Sequence, residues 1–370
     1  MKNQLDLPLG NILAAYFSDF SSISARPFGS GHINDTFLLT HLSGERYLLQ
    51  RINHQVFKDV AGLMINIDQV TRQVQRALKK RDDTRFTTLR IISTLEGGLF
   101  HLDQSGNYWR IITFIPNSIT YDLVTSTEQA FQAGYAFGYF QQLLSDMPGD
   151  TLQETIPKFH AMDYRFSNFD KAVEADLVHR VKQATPEIAF ALARKQEMLD
   201  WQAVVSNPEF PRRVTHNDTK FNNVLLDQGS QRAVGVIDLD TVMPGVIGYD
   251  FGDAIRTIAN TAEEDEADLS KISVNLDYYR VFAQGFLEES GQQLTELEKK
   301  SLHYAPNYMT FIMGLRMLTD YLQGDVYYKT NHSGHNLQRA KAQFELVAQL
   351  EKSASQTQQI LTEVFFKLGN

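Results

Sequence analysis

Hydrophobic positions follow two regimes along the chain, strand-like pairs of runs before residue 116 and mostly helical spacing after it. Ile12, Leu13, Tyr16, Phe17 and Phe20 recur at helical spacing and predict a short amphipathic helix over residues 9–20. Short β-rich runs follow at Ile23–Phe28, Thr36–His41 and Arg46–Gln50, with Gly29-Ser30-Gly31 and Ser43-Gly44 as turns. Val60, Leu63, Met64, Ile67, Val70, Val74 and Leu78 then form one long helical stripe. Two more hairpins are expected, turning at Glu96-Gly97-Gly98 and Gln104-Ser105-Gly106, before a last strand over Tyr108–Phe114. Beyond Pro116, Ser126 and Gln129 fit a capping box opening a helix that runs to about Leu144. Helical patterns then cover about 170–206, 276–291, 293–323 and 335–367. The expected fold class is α+β and bilobal. Residues 1–116 would form an N-terminal antiparallel sheet lobe with one helix, and 117–370 a larger, mainly helical lobe.

Composition narrows the choices. A chain of 370 residues exceeds what one small core needs, and apolar and charged residues alternate throughout as in packed proteins. A net charge of -9 with no basic stripe argues against nucleic acid or an anionic membrane as partner. The absence of cysteine excludes disulfides, thiolate metal sites and a cysteine nucleophile. The opening MKNQLDLPLG lacks a signal-peptide apolar core, and no apolar run nears spanning length. A cytoplasmic protein, monomeric or weakly dimeric, is expected. The acidic run EEDEADLS (263–270) reads as a solvated loop or helix start.

The exception to the helical second half is 213–239, where two apolar runs flank a polar loop. There His216, Asp218, Lys220 and Asn223 match the spacing H-x-D-x-K-x-x-N of a kinase catalytic loop. Phosphoryl transfer needs a carboxylate at the attacking hydroxyl, a carboxylate and an amide oxygen on Mg²⁺, and a cation near the transferred group. Asp218 would accept or orient the hydroxyl proton, and Lys220 would offset charge on the moving phosphoryl. Asn223 and Asp238, the latter ending the run VGVID, would hold the metal. His216 is assigned to packing. Asp240 is open between a second metal ligand, a substrate contact and a solvent-facing group. Asp250-Phe251-Gly252 spells the metal tripeptide of protein kinases, but Asp250 stands 32 residues after Asp218 and before a helix opening, which it would cap. Asp238, only 20 residues after Asp218, is the better metal ligand.

Together GSGHINDTF (29–37), YLLQR (47–51), THNDTK…NN (215–223), VIDLDTVMPG (236–245), YDFGD (249–253) and GLRMLTDYLQGDVY (314–327) resemble the aminoglycoside phosphotransferase and choline kinase superfamily. This is a protein-kinase-like fold, and the likeness is nearest to the N-acetylhexosamine 1-kinases. The resemblance implies ATP as co-substrate with Mg²⁺ and a small-molecule acceptor, an N-acetylated hexose. It implies phosphate contacts from Gly29, Ser30 and Gly31, and a hinge at Phe114 and Ile115 for the adenine. The usual strand lysine is missing; Arg51 is the expected replacement, paired with Asp68, with Gln50 the alternative because alternation points only one of the two inward. On the acceptor side it implies His32, Asn34, Asp218, Arg316 and Tyr327, although Arg316 could instead pair with Asp320 four residues on. Only twelve positions separate Asp238 from Asp250, too few for a peptide-docking segment.

Overall fold

The computed structural model describes residues 9–29 and 33–369. The N-terminal part contains α1 (Leu9–Ala14), β1 (Ile23–Pro27), β2 (Asp35–His41), β3 (Arg46–Ile52), α2 (Val60–Lys80), β4 (Ile91–Ile92), β5 (His101–Leu102) and β6 (Tyr108–Thr113). The strands form one antiparallel sheet in the order β1-β2-β3-β6-β4, with β5 also on β6. The α1 helix is shorter than its apolar spacing predicts, because Tyr16 turns its ring onto the sheet and donates its hydroxyl to the Trp109 carbonyl at 2.6 Å. The hairpin expected at residues 96–98 does not form. Thr94 and Gly98 close that turn on themselves, and β4 and β5 lie end to end along β6.

The two faces of the sheet have different fates. Phe37, Leu39, Leu49, Trp109 and Ile111 bury against α1. Ile52 and Ile112 instead join the cluster beneath α2, whose stripe Leu63, Met64, Ile67, Val70 and Val74 is almost fully buried. Asp59 caps that helix by accepting the Gly62 amide at 2.9 Å.

Past the sheet, β7 (Ser118–Ile119) pairs with β9 (Val224–Asp227), which pairs with β10 (Ala233–Val236); β8 (Arg213–Thr215) pairs with β11 (Met243–Gly245). The helices are α3 (Thr127–Leu143), α4 (Met162–Ala175), α5 (Thr185–Val205), α6 (Ile247–Ile258), α7 (Leu276–Ser290), α8 (Glu296–Ser301), α9 (Ala305–Gln323), α10 (His335–Lys352) and α11 (Ala354–Leu368). Three expected long helices are each two. Asp176, at φ 38°, ends α4 and accepts the amides of Arg180 and Val181; Ser353 separates α10 from α11; residues 302–304 separate α8 from α9. Half of the capping box forms: Ser126 accepts the Gln129 amide, but the Gln129 carboxamide bonds Thr125. The acidic run is only partly solvated, since Glu264 pairs with buried Arg256 at 2.7 Å. No helix among the described residues is long and apolar enough to cross a membrane.

Helices α3 and α7 approach each other closely, backbone against backbone. A Cβ on Gly134 would lie 2.2 Å from the Phe282 carbonyl oxygen, and one on Gly138 2.3 Å from that of Phe286. Backbone cannot yield as a side chain tip can, so Gly138→Ala should cost about 1–3 kcal/mol by denaturant titration. An unchanged midpoint would show that the helices separate freely. This contact holds α3 where Gln141 donates to the Val214 carbonyl on β8 and to Asp250 on α6.

Candidate active site

The segment from β8 to β11 is folded around one buried carboxylate. Asp250, in the first turn of α6, accepts the His216 amide at 2.9 Å, the Asn217 amide at 2.8 Å and the Gln141 side chain at 2.7 Å. It does not cap the helix as expected; Val246 occupies that position. Thr219 adds two bonds to α6, donating its hydroxyl to the Asp250 carbonyl at 2.7 Å and its amide to Asp253 at 3.0 Å. Asn217 takes a left-handed backbone, φ 64°, and ties the loop to the Thr241 carbonyl. His216 is fully buried, edge-on to Phe137 and Phe140, with Nε2 at 2.9 Å from the Ile237 carbonyl. Its place is structural.

On this support Asp218, Lys220, Asn223 and Asp238 come together. Lys220 Nζ lies 2.9 Å from Asp218 Oδ1. Asn223 donates Nδ2 to the Asp218 carbonyl at 2.8 Å and to Oδ2 at 3.1 Å, which leaves Oδ1 as its free acceptor end. Enclosure by the protein pushes the Asp218 carboxyl up, but the Lys220 charge and the bonds it accepts pull further down, leaving it below its ordinary value. Asp238, at φ 60°, follows the end of β10 and is exposed, and the residue before it donates its amide to the Asn223 carbonyl at 2.9 Å. The Asp238 carboxyl is pushed up to about 6, first by the surrounding protein and then by the like charges of Asp240 and Asp218. Converging carboxylates of this kind favour a cation between them. No group of three or more His, Asp or Glu among the described residues has metal-holding geometry. One carboxylate and one amide oxygen, completed by phosphate oxygens, is nevertheless a donor set that suits Mg²⁺.

The nucleotide-side expectations fare unevenly. Ser30, Gly31 and His32 lie outside the described residues, while Gly29 turns at φ 78°. Phe114 packs edge-on against Phe28 at 5.9 Å, and the Ile115 carbonyl accepts Ser118 Oγ at 2.7 Å. The expected Arg51–Asp68 pair is absent. Arg51 is on the outer face of the sheet and bonds Asp35, its Nε at 2.8 Å, while Asp68 binds Arg72 one turn along α2. Alternation puts Gln50 inward instead, opposite Arg110 on β6. Asp240 is buried and meets Arg110 Nη1 at 2.5 Å and Asn34 Nδ2 at 2.6 Å, so it is not a solvent-facing group. Sequence reading missed Arg110; the apolar neighbours in YWRIIT were its only signal.

On the other side of Asp218, Arg316 forms no pair with Asp320. That carboxylate accepts the amides of Val326, Tyr327 and Tyr328 and the Asn336 side chain, shaping the turn after α9. Arg316 lies instead over the rings of Phe159, Tyr327 and Tyr328, at 5.1–6.0 Å. Arg165 donates to the Phe159 carbonyl at 2.6 Å; burial and then Arg316 push its guanidinium down to about 10. Neither arginine has an ion-pair partner among the described residues. His160, also unforeseen, is buried between Phe159 and Tyr249 with both ring nitrogens unpartnered. Burial, followed by the charges of Arg316 and Arg165, lowers its pKa. It lines a cavity of about 140 Å³ with Asn217, Tyr249 and Pro244.

Known structures share this architecture. A microcompartment-associated aminopropanol kinase superposes with a TM-score of 0.65 at 14% identity, over 95% of this chain and 98% of that one. Amicoumacin kinase hAmiN, in complex with AMP-PNP, Ca²⁺ and Ami, gives 0.58 at 16% identity over 93% of each chain. Choline kinase from Cryptosporidium parvum Iowa II gives 0.54 at 16% identity over 95% of each. These likenesses establish the expected α+β kinase-like fold, a sheet-bearing N-terminal region followed by a larger helical one. The model of the phosphotransferase enzyme family APH matches residues 24–282, a span that includes the whole loop from His216 to Asp250. With that match covering most of its length, the chain belongs to the phosphotransferase enzyme family.

Proposed function

We propose that the chain is an ATP-dependent kinase of a small-molecule alcohol, and that its acceptor is the anomeric hydroxyl of an N-acetylhexosamine. The observation that carries the kinase reading is the convergence of Asp218, Lys220, Asn223 and Asp238 on one cleft. In this reading residues 1–116 form the nucleotide lobe, with adenine at the Phe114–Ile115 hinge, and residues 117–370 the acceptor lobe. Asn223 and Asp238 would hold Mg²⁺, which when bound would offset the charge that develops on the phosphates. Asp218 aligns the acceptor hydroxyl. Its low pKa suits a loose transition state in which the proton leaves late. The acceptor oxygen bonds the γ-phosphorus, the bridging P–O bond to ADP breaks, and the proton passes to Asp218. Lys220 steadies the charge on the transferring group.

The acceptor class is supported by charge. Arg316 and Arg165 have no ion-pair partner among the described residues and, beside neutral His160, outweigh the Glu154 carboxylate on the same cavity wall, which disfavours an ammonium group. They suit hydroxyl and amide oxygens, and the tyrosine rings of 327 and 328 suit a sugar face. The rival acceptor is an amino alcohol, the kind named for the aminopropanol and choline kinases. ADP release assayed with N-acetylglucosamine, N-acetylgalactosamine, aminopropanol and choline separates the two. Turnover is expected with an N-acetylhexosamine and none with its methyl glycoside, whose anomeric oxygen is blocked. Turnover of the amines alone would overturn the sugar assignment while leaving the kinase.

A further inference from the structure

We propose that Arg110, on β6, supplies the cation for the nucleotide's α- and β-phosphates that kinase-like clefts ordinarily take from a lysine on β3. The inference rests on the kinase reading above and adds a residue that motif spacing does not reach.

Register makes the first part of the case. Gln50 and Arg110 are direct cross-strand partners on the inner face, whereas Arg51 pairs with Trp109 on the outer one. Gln50 carries no charge, but it aims one. Its Nε2 donates to Thr36 at 3.1 Å, which turns Oε1 toward Arg110 Nε at 2.9 Å. From α2, where an acidic partner would be expected, the guanidinium meets only Met64, with Nη1 3.8 Å from the sulfur.

The second part is the anion it does meet. Arg110 and Asp240 are both nearly inaccessible, at 4% and 3% exposure, and their contact spans the two halves of the molecule. Asp240 is two residues beyond Asp238 and also receives Asn34 from the glycine-rich hairpin, whose Oδ1 accepts the Asn53 amide. Arg110 therefore stands where the sheet, the β1–β2 hairpin and the segment after β10 converge. No hydrogen bond among the described residues uses its Nη2. A guanidinium has five donors on a rigid fork, so Asp240 can keep one edge while phosphate oxygens take the other. A lysine on β3 would need an acid on α2 to hold it; here Gln50 and Asp240 do that work for an arginine one strand away.

Calorimetric titration with Mg·ATP, acceptor omitted, tests this directly. Arg110→Met should weaken ATP binding by about 10- to 100-fold, the range of one charge-assisted hydrogen bond, and Arg51→Met should leave it unchanged. Adenosine, which lacks phosphates, should bind Arg110→Met as it binds wild type. Equal loss of adenosine and ATP would mean a purely structural residue and would overturn the proposal. Arg110→Met strands a buried Asp240, so Arg110→Met/Asp240→Asn is the companion variant. It should melt like wild type and still bind ATP weakly; wild-type affinity there would show that Arg110 only neutralises Asp240. In turnover, KM for ATP should rise while KM for the acceptor stays. Wild type that binds no ATP would sink the kinase reading itself, whereas Arg110→Met that binds ATP normally sinks this assignment alone.

Discussion

Asp218→Asn should lower turnover by about 10²- to 10⁴-fold, the span associated with losing a positioned proton acceptor, while ATP affinity changes little. The amide keeps the shape of the side chain and one acceptor oxygen toward Asn223. It loses the charge that pairs with Lys220 and the ability to take the hydroxyl proton. Coupled-assay rates beside a calorimetric ATP titration check both halves of the statement. Wild-type-like turnover would remove Asp218 from the chemistry and leave Lys220 without its stated context. The fold should be unharmed, because Asp218 is only partly buried and the loop is anchored elsewhere.

That anchor is the subject of the second large effect. Asp250→Ala should destabilise the protein by about 3–5 kcal/mol in denaturant titration and depress activity as well. Three donors, the amides of His216 and Asn217 and the side chain of Gln141, lose their acceptor in a site with 1% exposure. Each orphaned buried donor costs about 1–3 kcal/mol, offset in part by no longer burying the carboxylate. The activity loss follows because those amides flank Asp218 and set where it points. An unchanged midpoint would mean the loop is held by the β8–β11 pairing and Thr215 instead. The string Asp250-Phe251-Gly252 thus belongs to the scaffold beneath the site, and its spelling is a coincidence with the kinase metal tripeptide.

Much of this was legible along the chain because it is local. Strand spans in residues 23–52, the α2 stripe and the cluster from His216 to Asn223 depend on short-range spacing, and short-range spacing survives folding. Errors concentrate where a neighbour distant in sequence decides. Residues 91–113 contain the right turns, but only the presence of one shared partner strand distinguishes two hairpins from two strands laid along β6. Helix breaks at Asp176 and Ser353 carry no proline or glycine, so periodicity ran through them. Asp320 looked like a partner for Arg316 at helical spacing, yet the following turn offered three amides at once and won it.

By itself the sequence determined the class of chemistry, because a carboxylate, an amide and a cation at fixed offsets in one loop need no tertiary information to be recognised. It also pointed away from Asp250 as a site carboxylate, and in the fold Asp250 is taken up by the His216 and Asn217 amides and the Gln141 side chain. Tertiary structure alone decided which side chains face the cleft. Strand alternation allowed either Gln50 or Arg51, and the choice fell to the sheet's two unlike faces, one sealed by α1 and one open to α2. The same packing brought Arg110, Asp240 and Asn34 together from positions up to 206 residues apart, a juxtaposition that no spacing along the chain encodes.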